Sequence, residues 1–372
     1  MIFDYAIVGA GISGASSAFL LAESASVALI EAESQPGYHA TGRSAALFTP
    51  NYGGDLVRRI NRCSQPFFTN PPTGFGRLLT ARGALTVAGP GLEDELAPLL
   101  ALSSPEAEVR ALSAARALAL APLLRPDRVA AAVYEPGVAD IDVSGLHQSF
   151  LRGFKERGGT ALYDRRIEGL ERKGGRWILA SGGQRIEAAC LIDAAGAWAD
   201  SLGVLAGAAE IGLVPKRRTA IVVEAPGTCA LAGHPLVDAV DAASYFKPEA
   251  GRIMASLGDE TPVAPQDVQP EELDIALAAD WLERTSVLRV RRILQSWAGL
   301  RSFVADQAPV VGFDGKVEDF FWLAGQGGFG IMMAPTLARA AAALLAGQDM
   351  PSDLRDRGLE ADDLSPARLA AA

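Results

Sequence analysis

Phe3-Asp-Tyr-Ala-Ile-Val8, then Gly9-Ala-Gly11-Ile-Ser-Gly14, then Ser26-Val-Ala-Leu-Ile30-Glu31 decide how this chain starts to fold. Residues 3–8 form a short buried strand, the glycines a turn, residues 15–22 a helix of small residues, and residues 26–30 a second strand ending at an acid. Glu31 follows Gly11 by 20 residues, the offset at which an acid meets a ribose in a dinucleotide-binding βαβ unit. Gly9 permits the tight turn, Gly11 leaves the backbone open to a pyrophosphate, and Gly14 lets helix and strand pack closely. Ile12 and Ser13 open the helix, whose free N–H groups and positive dipole end face the phosphates. Glu31, followed by Ala32, accepts the ribose hydroxyls, and its charge repels a 2′-phosphate.

FAD and NAD both use this unit, and the rest of the chain must separate them. An NAD dehydrogenase continues with alternating strands and helices. Here residues 35–46 form a long loop of glycines and small residues, suited to running along an extended ligand. A second glycine run, Gly325-Gln-Gly327-Gly328-Phe-Gly330, follows the apolar strand 320–324 and opens a helix over 331–345. No strand with a terminal acid follows it, so it lacks the ribose half of the unit. Its helix N-terminus suits negative charge on a reduced flavin ring, or serves close helix–strand packing alone.

The 372 residues are 49% apolar, enough for a sizeable core and two domains or more. A net charge of −10 argues against nucleic acid as the main partner. Cys63, Cys190 and Cys229, and His39, His147 and His234, are too scattered for a disulfide framework or a metal site. Residues 6–22 are apolar, but Asp4 stands where a signal peptide carries positive charge, and no stretch offers 18 uncharged apolar residues. The expectation is a cytoplasmic protein without an integral membrane segment. Residues 91–133 carry helical periodicity and no glycine motif, residues 166–187 read as a meander feeding the strand 190–194, and the residues around Ala372 read as a short unordered tail.

Seven blocks, in order, resemble the D-amino-acid oxidase superfamily of FAD enzymes, and within it the bacterial D-arginine dehydrogenases. They are the opening fingerprint, His39-Ala-Thr-Gly-Arg-Ser-Ala-Ala46, Leu191-Ile-Asp-Ala-Ala-Gly-Ala-Trp198, Pro215-Lys-Arg-Arg218, Ser244-Tyr-Phe-Lys-Pro248, Trp297-Ala-Gly-Leu-Arg-Ser-Phe303 and Gln326-Gly-Gly-Phe-Gly-Ile331. The resemblance implies an α/β fold: a Rossmann-like FAD-binding domain from 1–80, 141–212 and 300–372, and a discontinuous α+β substrate domain with a mixed or antiparallel sheet from 81–140 and 213–299. It implies non-covalent FAD. Besides the first glycines, Glu31 and Ala32, it assigns to the cofactor Arg43, Ser44, Ala45, Ala46, Ile167, Ala195, Gly196, Trp198, Gly327, Gly328, Gly330 and Ile331.

The resemblance assigns the substrate side to Arg218, Arg301, Tyr245 and Tyr52. A planar guanidinium matches a carboxylate and stays charged. Strand alternation over 217–223 puts Arg217 and Arg218 on opposite faces without saying which is inward; the resemblance chooses Arg218. Leu47, Thr49, Ala84, Met332 and Gly328 complete the implied pocket. Leu47 stands where the D-arginine enzymes carry histidine, and Ala84 where they carry an acid, with no acid following before Glu93. A pocket without a counter-charge disfavours a cation, so apolar or aromatic side chains are expected.

The expected function is oxidation of a D-amino acid by hydride transfer to flavin, the imino acid then hydrolysing to a keto acid. The electron acceptor, oxygen or a quinone or dye, stays open. Alternatives are oxidation of N-substituted glycines or 2-hydroxy acids, a flavin-binding protein without turnover and, more remotely, a nicotinamide dehydrogenase.

Overall fold

The computed structural model describes residues 2–225, 231 and 233–371. Its eight-stranded sheet has the order Gly169–Lys173, Arg176–Ser181, Gln184–Asp193, Ile2–Val8, Val27–Ile30, Thr160–Leu162, with Phe320–Ala324 and Val310–Phe313 branching from Gln184–Asp193. Ile2–Val8, Val27–Ile30, Thr160–Leu162, Phe320–Ala324 and the second half of Gln184–Asp193 run parallel. Val8, Ile30, Asp193 and Ala324 therefore end at one edge, where ligands of open parallel sheets sit. Parallel strands are buried on both faces, and Phe320–Ala324 is buried at every position.

Helices Ile12–Leu21, Val143–Glu156 and Gly330–Leu345 pack together on one face, around Ile7, Leu29, Phe150, Phe154 and Leu337. Gly14 decides how closely the first helix lies on its strand: a Cβ there would collide with the backbone carbonyl of Gly9. On the other face the meander covers Trp177, Phe320 and Trp322.

The nine-stranded sheet has the order Thr261–Pro262, Val214–Val223, Arg252–Ser256, Ala242–Glu249, Leu236–Ala239, Ala84–Ala88, Ala131–Glu135, Arg110–Ser113, with Ile293–Phe303 pairing antiparallel along all of Val214–Val223. The helix Glu272–Thr285 closes one face, packing Trp281 and Leu282 with Ile221, Val237 and Phe246. The opposite face borders the cleft. A three-stranded sheet of Leu47–Phe48, Ala139–Ile141 and Leu79–Ala81 lies apart from both.

Two sequence expectations need correction. Residues 91–133 are helical only at Glu93–Leu96, Ala97–Leu100, Ala114–Leu120 and Pro126–Arg128; Arg110–Ser113 and Ala131–Glu135 are strands. Pro98, Pro105, Pro122 and Pro126 break any longer helix, so the helical periodicity overstated it. At the far end, Pro366–Ala371 forms a 3-10 turn, with Arg368 bonded to Asp306 at 2.7 Å; Ala372, like Cys229, lies outside the described residues.

Candidate active site

An elongated cleft of about 400 Å³ runs from the carboxyl edge of the eight-stranded sheet to the open face of the nine-stranded one. The N-termini of Ile12–Leu21 and Gly330–Leu345 both open on it, through Gly11, Ile12 and Ser13 and through Gly328, Gly330 and Ile331. The first backbone N–H groups of each have no carbonyl partner within the helix. Ser13 Oγ donates to Gln326 Oε1 at 2.6 Å, which ties the two glycine turns together.

At the first turn, Ile12 N–H donates to Thr41 Oγ1 at 3.0 Å. A Cβ on Gly11 would meet only Thr41 Oγ1, at 3.2 Å, so the glycine opens its backbone towards the cleft. Gly9 adopts φ +104°, and a side chain there would strike Ala194. Glu31 lines the cleft while its carboxylate accepts from Ala10 N–H at 2.9 Å and Glu33 N–H at 3.1 Å. Ala32, Ser44, Ala45, Ile167, Ala195, Gly196, Trp198 and Gly327 also line it.

Arg43 lines the cleft, but its guanidinium donates to Val268 O at 2.9 Å, to Ala298 O at 3.1 Å and to Asp267, while Trp297 Nε1 donates to Arg43 O at 3.0 Å. It pins the loop after Glu31 to the second sheet. Gly14 and Ala46 do not line the cleft: Gly14 faces Gly9, and Ala46 packs on the main core.

At the far end stand Arg218, Arg301 and Tyr245. Arg218 pairs with Gly299, and Lys216 with Arg301. The two arginines are therefore diagonal neighbours on one face of adjacent antiparallel strands. Gly328 makes room for Arg301: a Cβ there would stand 2.9 Å from Arg301 Nη1. Arg218 Nε is buried without a hydrogen-bond partner, and Nη2 reaches Glu260 Oε1 at 3.4 Å. Burial and then the Arg301 charge lower the Arg218 guanidinium below its ordinary range. Two like charges held together with a donor unused form a seat for an anion.

Alternation alone left Arg217 and Arg218 unresolved, and the structure separates them. Arg217 points away from the cleft, bonded to Asp274 Oδ2 at 2.9 Å and to Glu271.

Leu47, Thr49, Tyr52, Ala84 and Met332 are not among the cleft-lining residues. Leu47 and Ala84 pack with Val138, Leu236 and Tyr245 just beyond it. Thr49 Oγ1 lies 3.8 Å from Met332 Sδ. Tyr52 is half exposed, packs edge-on against Phe329 at 5.2 Å, and is close enough to Arg218 to influence its charge.

Sequence reasoning missed Thr41, Gln326, Ser256, Ala220 and Trp297, all at the cleft. Strand pairing alone reveals the last three, since Trp297, Ala220, Ser256 and Tyr245 are successive cross-strand partners. It also missed two acids. Glu135 pairs directly across from Ala84, and Asp238 across from both Thr86 and Tyr245. The expectation of no acid near Ala84 counted distance along the chain, which a sheet overrides.

A glycine turn on a parallel sheet, a helix N-terminus facing the cleft and an acid at the next strand's end define a dinucleotide-binding fold. The chain belongs to the FAD-dependent oxidoreductase (DAO) family, whose model matches residues 4–344. Its cofactor is FAD. The chain is 25% identical over 228 residues to L-2-hydroxyglutarate dehydrogenase of Escherichia coli, a match covering 54% of this chain and 49% of that protein. It therefore spans about half the length of that relative.

Two solved structures share the fold. L-α-glycerophosphate oxidase of Mycoplasma pneumoniae has TM-score 0.84 at 19% identity, covering 93% of this chain and 95% of the other. Iminodiacetate oxidase of Chelativorans sp. has TM-score 0.80 at 24% identity, covering 97% and 98%. At such identities the likeness shows the fold alone. The superfamily resemblance is thus sustained, whereas none of these relatives is a D-arginine dehydrogenase, and the narrower resemblance is not supported. Among the described residues no helix is long and apolar enough to cross a membrane.

Proposed function

We propose that this protein oxidises small carboxylates bearing an α-amino group, D-amino acids first among them, to imino acids that hydrolyse to 2-keto acids. The observation that carries the reading is the pair Arg218 and Arg301, set side by side at the end of the cleft with Arg218 Nε buried and unpaired. A substrate carboxylate supplies the missing acceptor and separates the two cations.

The cleft fits FAD at the other end. Gly9, Gly11, Ile12 and Ser13 would hold the pyrophosphate, Glu31 and Ala32 the ribose, and Ile167, Ala195, Gly196 and Trp198 the walls around them. Ser44, Ala45, Gly327, Gly328, Gly330 and Ile331 would face its ring, non-covalently. Bound FAD supplies the two-electron acceptor for the substrate Cα–H bond.

The protein's own part is orientation. Arg218 and Arg301 fix the carboxylate, so the α-carbon is held in one pose against the glycine turn at 327–328. Tyr245 and Tyr52 flank that position, and Tyr52 on its exposed loop limits the entry of water. The α-amine must lose a proton to solvent or to an ordered water, since among the described residues no Asp, Glu or His lines this end of the cleft. In this reading, segments 1–80, 141–212 and 300–372 hold the cofactor, and 81–140 with 213–299 present the substrate, in a cytoplasmic enzyme.

An anaerobic screen tests the reading: D-amino acids bleach the flavin absorbance while their L-enantiomers do not. Bleaching by L-amino acids alone would remove the stereochemical assignment. The second reading, oxidation of N-substituted glycines or 2-hydroxy acids, rests on the same arginine pair, which grips any α-carboxylate. Bleaching by sarcosine, iminodiacetate or a 2-hydroxy acid in preference to D-amino acids favours it.

A further inference from the structure

The sheet face that borders the cleft does not stop at the cleft's edge. Trp297, Ala220, Ser256, Tyr245, Asp238 and Thr86 form one row of cross-strand partners, each a single strand from the next. The first four line the cleft; Asp238 is the next position outward, about 5 Å beyond Tyr245 by strand spacing. Glu135 stands on the same face, across from Ala84. Between these acids and the arginines lies the apolar group of Ala84, Val138, Leu236, Leu47 and Tyr245.

Asp238 takes a hydrogen bond from the Thr86 side chain but, among the described residues, has no cation to balance its charge. Its Oδ1 is shut off from solvent without a hydrogen bond. Glu135 accepts 2.8 Å from Asn51 Nδ2, whose Oδ1 is itself taken by Arg62. Lys247, two residues from Tyr245 along its strand and so on the same face, is spent on Asp140 at 2.9 Å and Glu249 at 2.7 Å. Among the described residues neither Asp238 nor Glu135 makes an ion pair. A buried carboxyl oxygen without a donor is costly, and here it sits in line with the substrate-facing tyrosine.

We propose that Asp238, backed by Glu135, determines side-chain specificity by accepting the ammonium or guanidinium at the far end of an extended substrate whose carboxylate is held by Arg218 and Arg301. This rests on the reading of the arginine pair given above and reverses the apolar preference expected from Ala84. The aliphatic stem of such a substrate lies along Leu236, Ala84 and Tyr245, and its cation supplies the donor that Asp238 Oδ1 lacks. A substrate with a second carboxylate, such as iminodiacetate, brings like charge towards two acids and is disfavoured. Asp238 is a specificity residue and takes no part in bond breaking.

Two measurements on the flavin-loaded protein test this. The first is calorimetric affinity for 6-aminohexanoate against hexanoate, carboxylates that need no oxidation. The amino compound should bind about tenfold tighter or better, and Asp238→Asn should bring that ratio close to one. Equal affinities, or a ratio that survives in Asp238→Asn, overturn the proposal.

The second is kcat/KM for D-Lys and D-Arg against D-norleucine. The basic substrates should win in the native protein by a similar factor, and the advantage should collapse in Asp238→Asn and shrink in Glu135→Gln. If no D-amino acid is oxidised while 6-aminohexanoate still binds through Asp238, the reaction reading fails and the cation seat stands. If D-norleucine is oxidised well and the calorimetric ratio is one, the seat fails and the reaction stands.

Discussion

At the nucleotide end of the cleft, the turn, the helix start and the acid come from one stretch of about thirty residues, joined by contacts such as Ala10 N–H to Glu31. At the carboxylate end, Arg218, Tyr245 and Arg301 come from three separate strands that meet only because Ile293–Phe303 pairs along Val214–Val223, and Ala242–Glu249 reaches the same row through Arg252–Ser256. The first end is close to a local motif, fixed by sterics and hydrogen bonds among near neighbours. The second is a product of register. A one-residue slip along Val214–Val223 would exchange Arg217 for Arg218 and turn the site inside out.

The largest expected effect breaks the local end. Gly14→Val sets a side chain against the Gly9 carbonyl, where backbone must move, and should yield protein without flavin absorbance or without a fold. Gly11→Val is the gentler probe: its Cβ meets only Thr41 Oγ1, so the chain should fold by circular dichroism yet lack flavin. Normal flavin content in Gly11→Val would end the pyrophosphate assignment.

The two arginines sharpen the contrast across the sheet. Arg217→Met leaves the buried Asp274 without its cation and should cost about 3 kcal/mol in denaturant unfolding, with KM little changed. Arg301→Met should do the reverse. Stability should hold, while kcat/KM falls by roughly ten- to a hundredfold, from a lost charged contact of about 1.5–3 kcal/mol. A loss of activity in Arg217→Met at unchanged stability would contradict the face assignment.

A smaller effect is expected from pH. Burial, with a contribution from the Glu135 charge, pushes Asp238 up to about 6 from its ordinary 3.8. The folded protein therefore holds that proton more tightly than the unfolded chain. Stability from this group is full below pH 4 and declines as pH rises towards about 6, where the folded carboxyl ionises. Asp238→Asn removes the penalty and should be more stable than the native protein at pH 7.5, by roughly 1–3 kcal/mol, with no gain at pH 4. A gain that is the same at both pH values would show that the carboxyl is not held protonated by burial. The stabilised variant is also the one expected to lose charge selectivity, the usual exchange at a functional site.

The sequence by itself determined the nucleotide fold: Gly9, Gly11, Gly14 and Glu31 are spaced by backbone sterics and helix geometry, which act over a few residues and are written locally. It also showed the second glycine turn at 325–330 and the strand 320–324 that carries it. Only the tertiary structure decided that Arg218 rather than Arg217 faces the cleft, that Arg43 is occupied by Asp267 and two carbonyls, and that Glu135 stands across from Ala84. The periodicity of 91–133 suggested helices, and prolines with sheet pairing cut them short and put strands at 110–113 and 131–135. Cross-strand neighbours share no spacing rule along the chain. Loop closure joins residues 51 positions apart, Ala84 and Glu135, as readily in space as adjacent ones, and the chemistry at the far end of the cleft was fixed by that pairing.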